Sequence, residues 1–292
     1  MAVGLKSEFE RFLSGFSGER VLFAPNPGNA GDSVIACAEY QIFDRLGINY
    51  QIVSHDVSVA ETAGEIVFYG GGGNLVDPYP NARDFIARHH EGVKRLVILP
   101  HTIAAYPELI TALGNNVDII CREQLSHDYV SRFVNLANVH LMDDAAFLLD
   151  VRRLMGKVGI AECAWLQRPL RTAKRSVRMW LHAFRNRHQA NTLNSFRGDV
   201  EGTGRSGVEA NFDVSQMLAA DSMSVAESVS AARSVVDFIS RFDVVRTDRL
   251  HVCIVSLLLG KEVHFFDNSY GKNRAVYEFS MVGRYAGLRW CD

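Results

Sequence analysis

The densest chemistry in this sequence sits in one short run, Val245-Arg246-Thr247-Asp248-Arg249-Leu250-His251, between an apolar strand-like segment and an almost wholly apolar helix. Arg249 offers the flat, two-pronged grip that suits a carboxylate or phosphate, and the start of a helix favours the same anions. His251 brings a side-chain type that can give or take a proton beside such an anion. The plainer reading, a basic surface turn, is weakened because the helix that follows must be buried. Two further cations recur at similar places. Arg122 lies in Cys121-Arg122-Glu123-Gln124-Leu125-Ser126, at the end of an apolar run with Glu123 opening a helix; Lys272 follows Phe266-Asp267-Asn268-Ser269-Tyr270-Gly271. Taken singly, Arg122 reads equally as the partner of a neighbouring acid, and Lys272 as an ordinary surface lysine.

Two glycine-rich loops accompany these cations. Asn26-Pro27-Gly28-Asn29-Ala30-Gly31-Asp32 follows a strand and opens a helix. Such a loop presents backbone N–H groups and a positive helix end to an anion or a hydroxyl-rich ligand, and Asp32 or Ser33 can cap the helix. It is neither a dinucleotide fingerprint nor a P-loop, and a tight strand-to-helix turn is its plain alternative. Tyr69-Gly70-Gly71-Gly72-Gly73-Asn74-Leu75 places four glycines after a strand, which lets a ligand or another segment approach the backbone closely. His101, in Leu99-Pro100-His101-Thr102, is expected just past a strand end, where open α/β sheets bind ligands; alone, it reads as a histidine bonded to nearby backbone. In Met142-Asp143-Asp144-Ala145-Ala146-Phe147 the acids are expected to cap and position.

The elements that must hold these residues alternate. Strands are expected at Val21–Ala24, Ile66–Tyr69, Leu96–Leu99 (ended by Pro100), Val117–Cys121, Phe242–Val245 and Val263–Phe266. Helices are expected at Ser33–Leu46, Asn81–His90, about Glu123–Phe133, Ser224–Ser240, Leu250–Leu259 and Asn273–Met281. Alternation of this kind implies parallel sheets with helices on both faces, that is, an α/β fold. The rhythm breaks at about Arg152–Arg187, a segment rich in Arg and Lys, and a domain boundary is expected near residue 150. Two Rossmann-like domains, 1–150 and 151–292, facing a cleft is the economical architecture. All the motifs above fall at carboxyl ends of expected strands, so one cleft collects them.

Composition bounds the remainder. The chain has 292 residues, 48% hydrophobic and 22% charged, with a formal net charge of -2, which argues against a general nucleic-acid binder. The five cysteines are widely spaced without a zinc pattern, and no metal is expected. The opening residues lack the apolar core of a signal peptide, so the chain is read as cytoplasmic.

The motifs, in this order, resemble the polysaccharide pyruvyltransferase family. They are the Asn26–Asp32 opening loop, Gly-Gly-Gly-Asn-Leu at 71–75, Leu99-Pro100-His101-Thr102, Arg122-Glu123 with Ser126, Asp143–Phe147, and Thr247-Asp248-Arg249-Leu250-His251 with Gly271-Lys272 downstream. The likeness runs from about Val21 to Lys272, and Ser195-Phe196-Arg197-Gly198-Asp199 matches a further family strand end. The resemblance implies a GT-B-like enzyme that moves the pyruvyl group of phosphoenolpyruvate onto a hydroxyl pair of a sugar, forming a ketal. It implies no cofactor beyond that donor. It places Arg249 and His251 on phosphoenolpyruvate, with Arg122 and Lys272 as further cations. The first domain would take the acceptor and the second the donor, with the last helix packing back on the first domain. Asp32 is then a hydroxyl-orienting base, and Asn26, Gly28, Gly31, Gly72, Gly73, Asn74, His101 and Arg197 line the acceptor or the loops. The acceptor is expected on a polyprenyl diphosphate, and the basic segment 168–187, with Arg171, Lys174, Arg175 and Arg178, either rests on a membrane surface or is a solvated interdomain helix. A nucleotide-sugar glycosyltransferase of the same architecture and a non-catalytic assembly subunit are the competing readings.

Overall fold

The computed structural model describes residues 7–77, 79–156, 175, 177–179 and 191–292. The chain forms two compact units. One comprises residues through Pro27 and Ala38–Leu148; the other comprises Gly28–Cys37 and Leu149–Asp292. The sequence placed residues 1–150 together, whereas Gly28–Cys37, the opening loop and first turns of a long helix, group with the second unit.

The first unit is built on β1 (Arg20–Ala24), β2 (Asn49–Ile52), β3 (Ile66–Tyr69), β4 (Gly72–Leu75), β5 (Arg95–Ile103), β6 (Val117–Cys121) and β7 (Asn138–Leu141). Their order is β2-β1-β3-β5-β6-β7, with β4 also on β5, and every pairing is parallel. Every residue of β3 and β6 is buried, as expected of strands covered on both faces. Residues of the helices Ala30–Leu46, Asn81–His89 and Gln124–Phe133 lie in the connections between these strands. Strand order reverses between β1 and β3, so the turns that follow these two strands open at one point, where parallel sheets leave a crevice.

One expectation is corrected here. β5 does not stop at Pro100 but runs on to Ile103. Its register against β6 shifts between Ile98 and His101, and this irregularity accommodates a residue with no N–H to give. His101 is therefore inside the sheet, paired with Gly72 and Cys121, and fully buried.

The second unit carries β8 (Thr192–Ser195), β9 (Val244–Thr247), β10 (Glu262–Phe266) and β11 (Leu288–Cys291) in the order β11-β10-β9-β8, all parallel. Helices Val225–Ser240 and Leu250–Leu258 provide two of the crossovers. The third is Lys272–Val276, continued by a π-helical turn at Tyr277–Met281. β9 starts two residues later than expected, which brings Arg246 and Thr247 into the strand and Asp248 to its end.

At the crevice of the first sheet the glycine run is packed against the turn after β1. The Gly70 N–H donates to Ala24 O at 2.8 Å, and the Gly71 N–H donates to Glu39 Oε1 at 2.8 Å. A Cβ on Gly70 would stand 2.6 Å from the Asn26 backbone nitrogen and 3.0 Å from Pro25 Cα, neither of which can yield. Gly70→Ala is therefore expected to lose about 1–3 kcal/mol, as overpacking does. Urea denaturation checks this, and an unchanged midpoint would mean that the two turns are not in rigid contact.

Candidate active site

In the second unit two parallel strands end side by side, and each delivers an arginine. β8 leads into Phe196-Arg197, and β9 into Asp248-Arg249. Four hydrogen bonds tie the strand ends. Thr247 Oγ1 donates to Ser195 O at 2.6 Å and accepts the Arg249 N–H at 2.9 Å. Asp248 Oδ1 accepts the Arg197 N–H at 2.9 Å, and Asp248 O accepts from Asn273 Nδ2 at 2.7 Å. Asn273 also donates to Phe266 O at 3.0 Å, which brings in the end of β10.

The arginine side chains run into a network of opposite charges. Arg249 places Nε and Nη2 on the two carboxylate oxygens of Asp213 at 3.0 and 2.5 Å, and Nη1 on Asp199 at 2.9 Å. Arg197 holds Asp199 through Nε at 2.7 Å and Glu201 through Nη1 at 2.5 Å. Lys272 Nζ donates to Glu201 at 3.0 Å and to the Tyr270 hydroxyl at 2.8 Å. Three cations thus face three carboxylates, and the Arg249 side chain is only 4% exposed. Burial alone would raise the carboxyl pKa of Asp199 and Glu201. Arg197 and Arg249 at Asp199, and Lys272 and Arg197 at Glu201, outweigh it and hold both below the usual range.

Asp248 differs. It is wholly buried, and its Oδ2 has no hydrogen-bond partner among the described residues. Burial pushes its pKa up to about 6 despite the Arg197 N–H and the charges of Arg197 and Arg249 nearby.

His251 lies in the first turn of helix Leu250–Leu258 and is half-buried. Its ring rests on the opening loop: a Cβ on Gly31 would overlap His251 Nδ1 and sit 3.0 Å from its Cγ. The loop is closed by its own side chains. Asn29 Oδ1 accepts the Gly31 N–H, and Asp32 Oδ2 accepts the Asn29 N–H, both at 2.8 Å. This is a reciprocal cap. The loop N–H groups expected to cradle an anion are in part taken by Asn29, and Asp32, expected as a base, is drawn back over Gly28, where a Cβ would collide with its carboxylate.

The other expected residues lie in the first unit. Asn26 is buried and accepts from the Tyr69 hydroxyl at 2.9 Å. A Cβ on Gly72 would overlap the Asn26 amide, so this glycine makes room for protein rather than for a ligand. His101 Nε2 is 2.8 Å from Asn74 Oδ1, and the ring has no solvent exposure. Gly73 and Asn74 stay partly exposed. Arg122, expected on the donor, is 1% exposed. Its Nη1 holds Asp144 at 2.7 Å, and its Nε donates to Thr102 at 2.9 Å. Asp144 in turn accepts the Ala146 N–H at 2.8 Å. The charge of Arg122 is thus matched inside the first unit. Most of the basic segment lies outside the described residues. Arg175 is turned inward onto Glu227, Ser230 and Ala219 O, and the exposed Arg178 donates to Met217 O at 2.7 Å.

Sequence reasoning missed Asp213 and Glu201. Asp213 left one signal, a helix cap, since it accepts from Gln216 N three residues on. Among the described residues no group of His, Cys, Asp and Glu is placed to hold a metal ion, and no helix is long and apolar enough to cross a membrane.

Comparison with known proteins adds a family. The model of the family described as Polysaccharide pyruvyl transferase matches residues 29–270. EpsO of Bacillus subtilis (strain 168), named provisionally as a pyruvyl transferase, is 23% identical over 90% of this chain and 86% of its own length. A crystal structure of a functionally uncharacterized protein, KP1_0663 from Klebsiella pneumoniae subsp. pneumoniae NTUH-K2044, is 30% identical with a TM-score of 0.76. It covers 98% of this chain and 97% of that one.

The raised pKa of Asp248 has a signed consequence. Below the unfolded value the acid is protonated in both states; between that value and about 6 the unfolded chain ionises while the folded one stays protonated, and stability from this residue is lost over that interval. Asp248→Asn removes that dependence. The stability of the variant relative to the parent should rise by roughly 2 kcal/mol between pH 4 and pH 7. Denaturant unfolding across that range reads it, and a flat or falling difference would show that Asp248 keeps an ordinary pKa.

Proposed function

This chain belongs to the polysaccharide pyruvyl transferase family of enzymes, and we propose that it moves the pyruvyl group of phosphoenolpyruvate onto two hydroxyls of one sugar in a polysaccharide precursor. The observation that carries this reading is the convergence of Arg197, Arg249 and Lys272 in one buried network, two residues along the chain from His251. Phosphoenolpyruvate carries a carboxylate and a phosphate, and such a set of cations suits a small, highly charged anion better than a nucleotide base. Asp213 takes both prongs of Arg249. In our reading the donor offers the same two-oxygen geometry and competes for that grip.

The chemistry balances with side chains alone. A proton goes to the methylene carbon of phosphoenolpyruvate, which becomes the methyl group, and a sugar hydroxyl attacks the neighbouring carbon and loses its own proton. The bond from that carbon to the phosphate oxygen breaks, and phosphate leaves with the electron pair. The second hydroxyl attacks the same carbon and loses its proton, closing the ketal. We assign proton transfer to His251, and charge stabilisation on the departing phosphate to Arg249, Arg197 and Lys272. Gly73 and Asn74, which are partly exposed, are the acceptor-side residues we favour. A polyprenyl diphosphate carrier for the acceptor is part of the proposal.

Phosphate release from phosphoenolpyruvate by the purified protein, with and without a lipid-linked oligosaccharide extract, tests the reaction class. Acceptor-dependent release supports it. Absence of both release and binding of phosphoenolpyruvate would favour a nucleotide-sugar glycosyltransferase or a non-catalytic assembly subunit. His251→Ala is expected to lower kcat by about 100-fold or more, with the melting temperature and phosphoenolpyruvate binding by calorimetry little changed. A near-normal rate would remove His251 from the mechanism.

A further inference from the structure

Gly31 is buried against a titratable ring, and its own backbone does not call for glycine. Its φ is not among the positive values that favour this residue, and it lies in the first turn of a 17-residue helix, where alanine is the better helix former. What glycine supplies there is absence. A Cβ would overlap His251 Nδ1 and stand 3.0 Å from both His251 Cγ and Asn29 Oδ1.

The backbone of His251 has little freedom to answer such a push. The following residues Val252, Cys253, Ile254 and Val255 are all buried, so helix Leu250–Leu258 is anchored in the core. Within a helix the side chain has few rotamers, and leaving one for another swings the ring nitrogens by ångströms. The fold would thus tolerate a methyl group at position 31 by giving up the present imidazole position. Proton transfer is far less tolerant, because a misplacement of about 1 Å is enough to cost about 100-fold.

We propose that Gly31 is a positioning residue: the side chain it lacks is the slot that fixes the His251 imidazole for proton transfer. This rests on the assignment of His251 above and adds how the ring is held. It also gives Gly31 a role distinct from lining the acceptor.

The test is a double-mutant cycle of Gly31→Ala and His251→Ala, read by kcat, by melting temperature and by NMR of the His251 imidazole in 15N-histidine-labelled protein, assigned by its loss in His251→Ala. For Gly31→Ala the expected results are a kcat lower by about 100-fold, phosphoenolpyruvate affinity within a few-fold by calorimetry, a melting temperature close to the parent's, and a shifted His251 resonance. In the His251→Ala background Gly31→Ala should leave the residual rate unchanged. Three results each overturn the proposal: a kcat within twofold of the parent, an unmoved His251 resonance, or an equal loss in both backgrounds. Should Gly31→Ala fail to fold, the double variant decides. Recovery of the His251→Ala melting temperature places the collision on the ring; continued failure overturns the slot. If His251→Ala itself keeps a normal rate, the catalytic assignment fails, while the resonance and the stability coupling still report on the slot.

Discussion

The second unit turns on a dipeptide. Thr247 and Asp248 stand where β9 ends, and through them and Asn273 the ends of β8, β9 and β10 are held by five hydrogen bonds. Each bond fixes backbone, not side chain, so what is set is the direction in which the next residues leave. Arg197 leaves one strand and Arg249 the other, and both guanidinium groups reach Asp199. The cost is a buried carboxyl group with one oxygen unpaired among the described residues, and burial is why its pKa is raised. Oδ1 needs only the Arg197 N–H, so the brace survives protonation.

Bringing three cations together requires something to hold them before a substrate arrives. Asp199, Glu201 and Asp213 do that. Without them, Arg197, Arg249 and Lys272 would repel one another in a poorly hydrated place. With them, each guanidinium is oriented by at least two oxygens, and the sum of charge is zero. Preorganisation of this kind is what stabilises charge developing in a reaction, since the dipoles need not be rearranged at that moment. In the proposed function the acids therefore matter even if none of them touches substrate.

How much of this was legible in the sequence follows from burial. Strands covered on both faces, such as β3 and β6, are continuous apolar runs and stand out. β2 and β7, at the two sheet edges, carry half-exposed polar residues and give no such signal, and β11 is the same case in the other unit. The cations were legible because Arg and Lys next to strand ends are uncommon in a buried pattern. Their partners were not, because Asp213 lies 36 residues from Arg249 and nothing local ties them. Arg122 is a similar case: its position at a strand end was legible, while its pairing with Asp144, 22 residues on, was not.

The glycines make the same point more sharply. Glycine marks a place where something comes close to the backbone, but the sequence does not say what. At Gly70 it is the Pro25–Asn26 backbone, at Gly72 the Asn26 amide, and at Gly28 the Asp32 carboxylate. These are closures of the fold upon itself, and a ligand is not needed to explain them. Gly31 belongs to the same geometric class, yet its neighbour is an imidazole that opens a buried helix. A close approach to backbone fixes a scaffold; on the proposed assignment of His251, a close approach to its ring bears on chemistry. Whether a glycine is structural or functional is thus decided by its neighbour's side chain, which lies 220 residues away along the chain in this case.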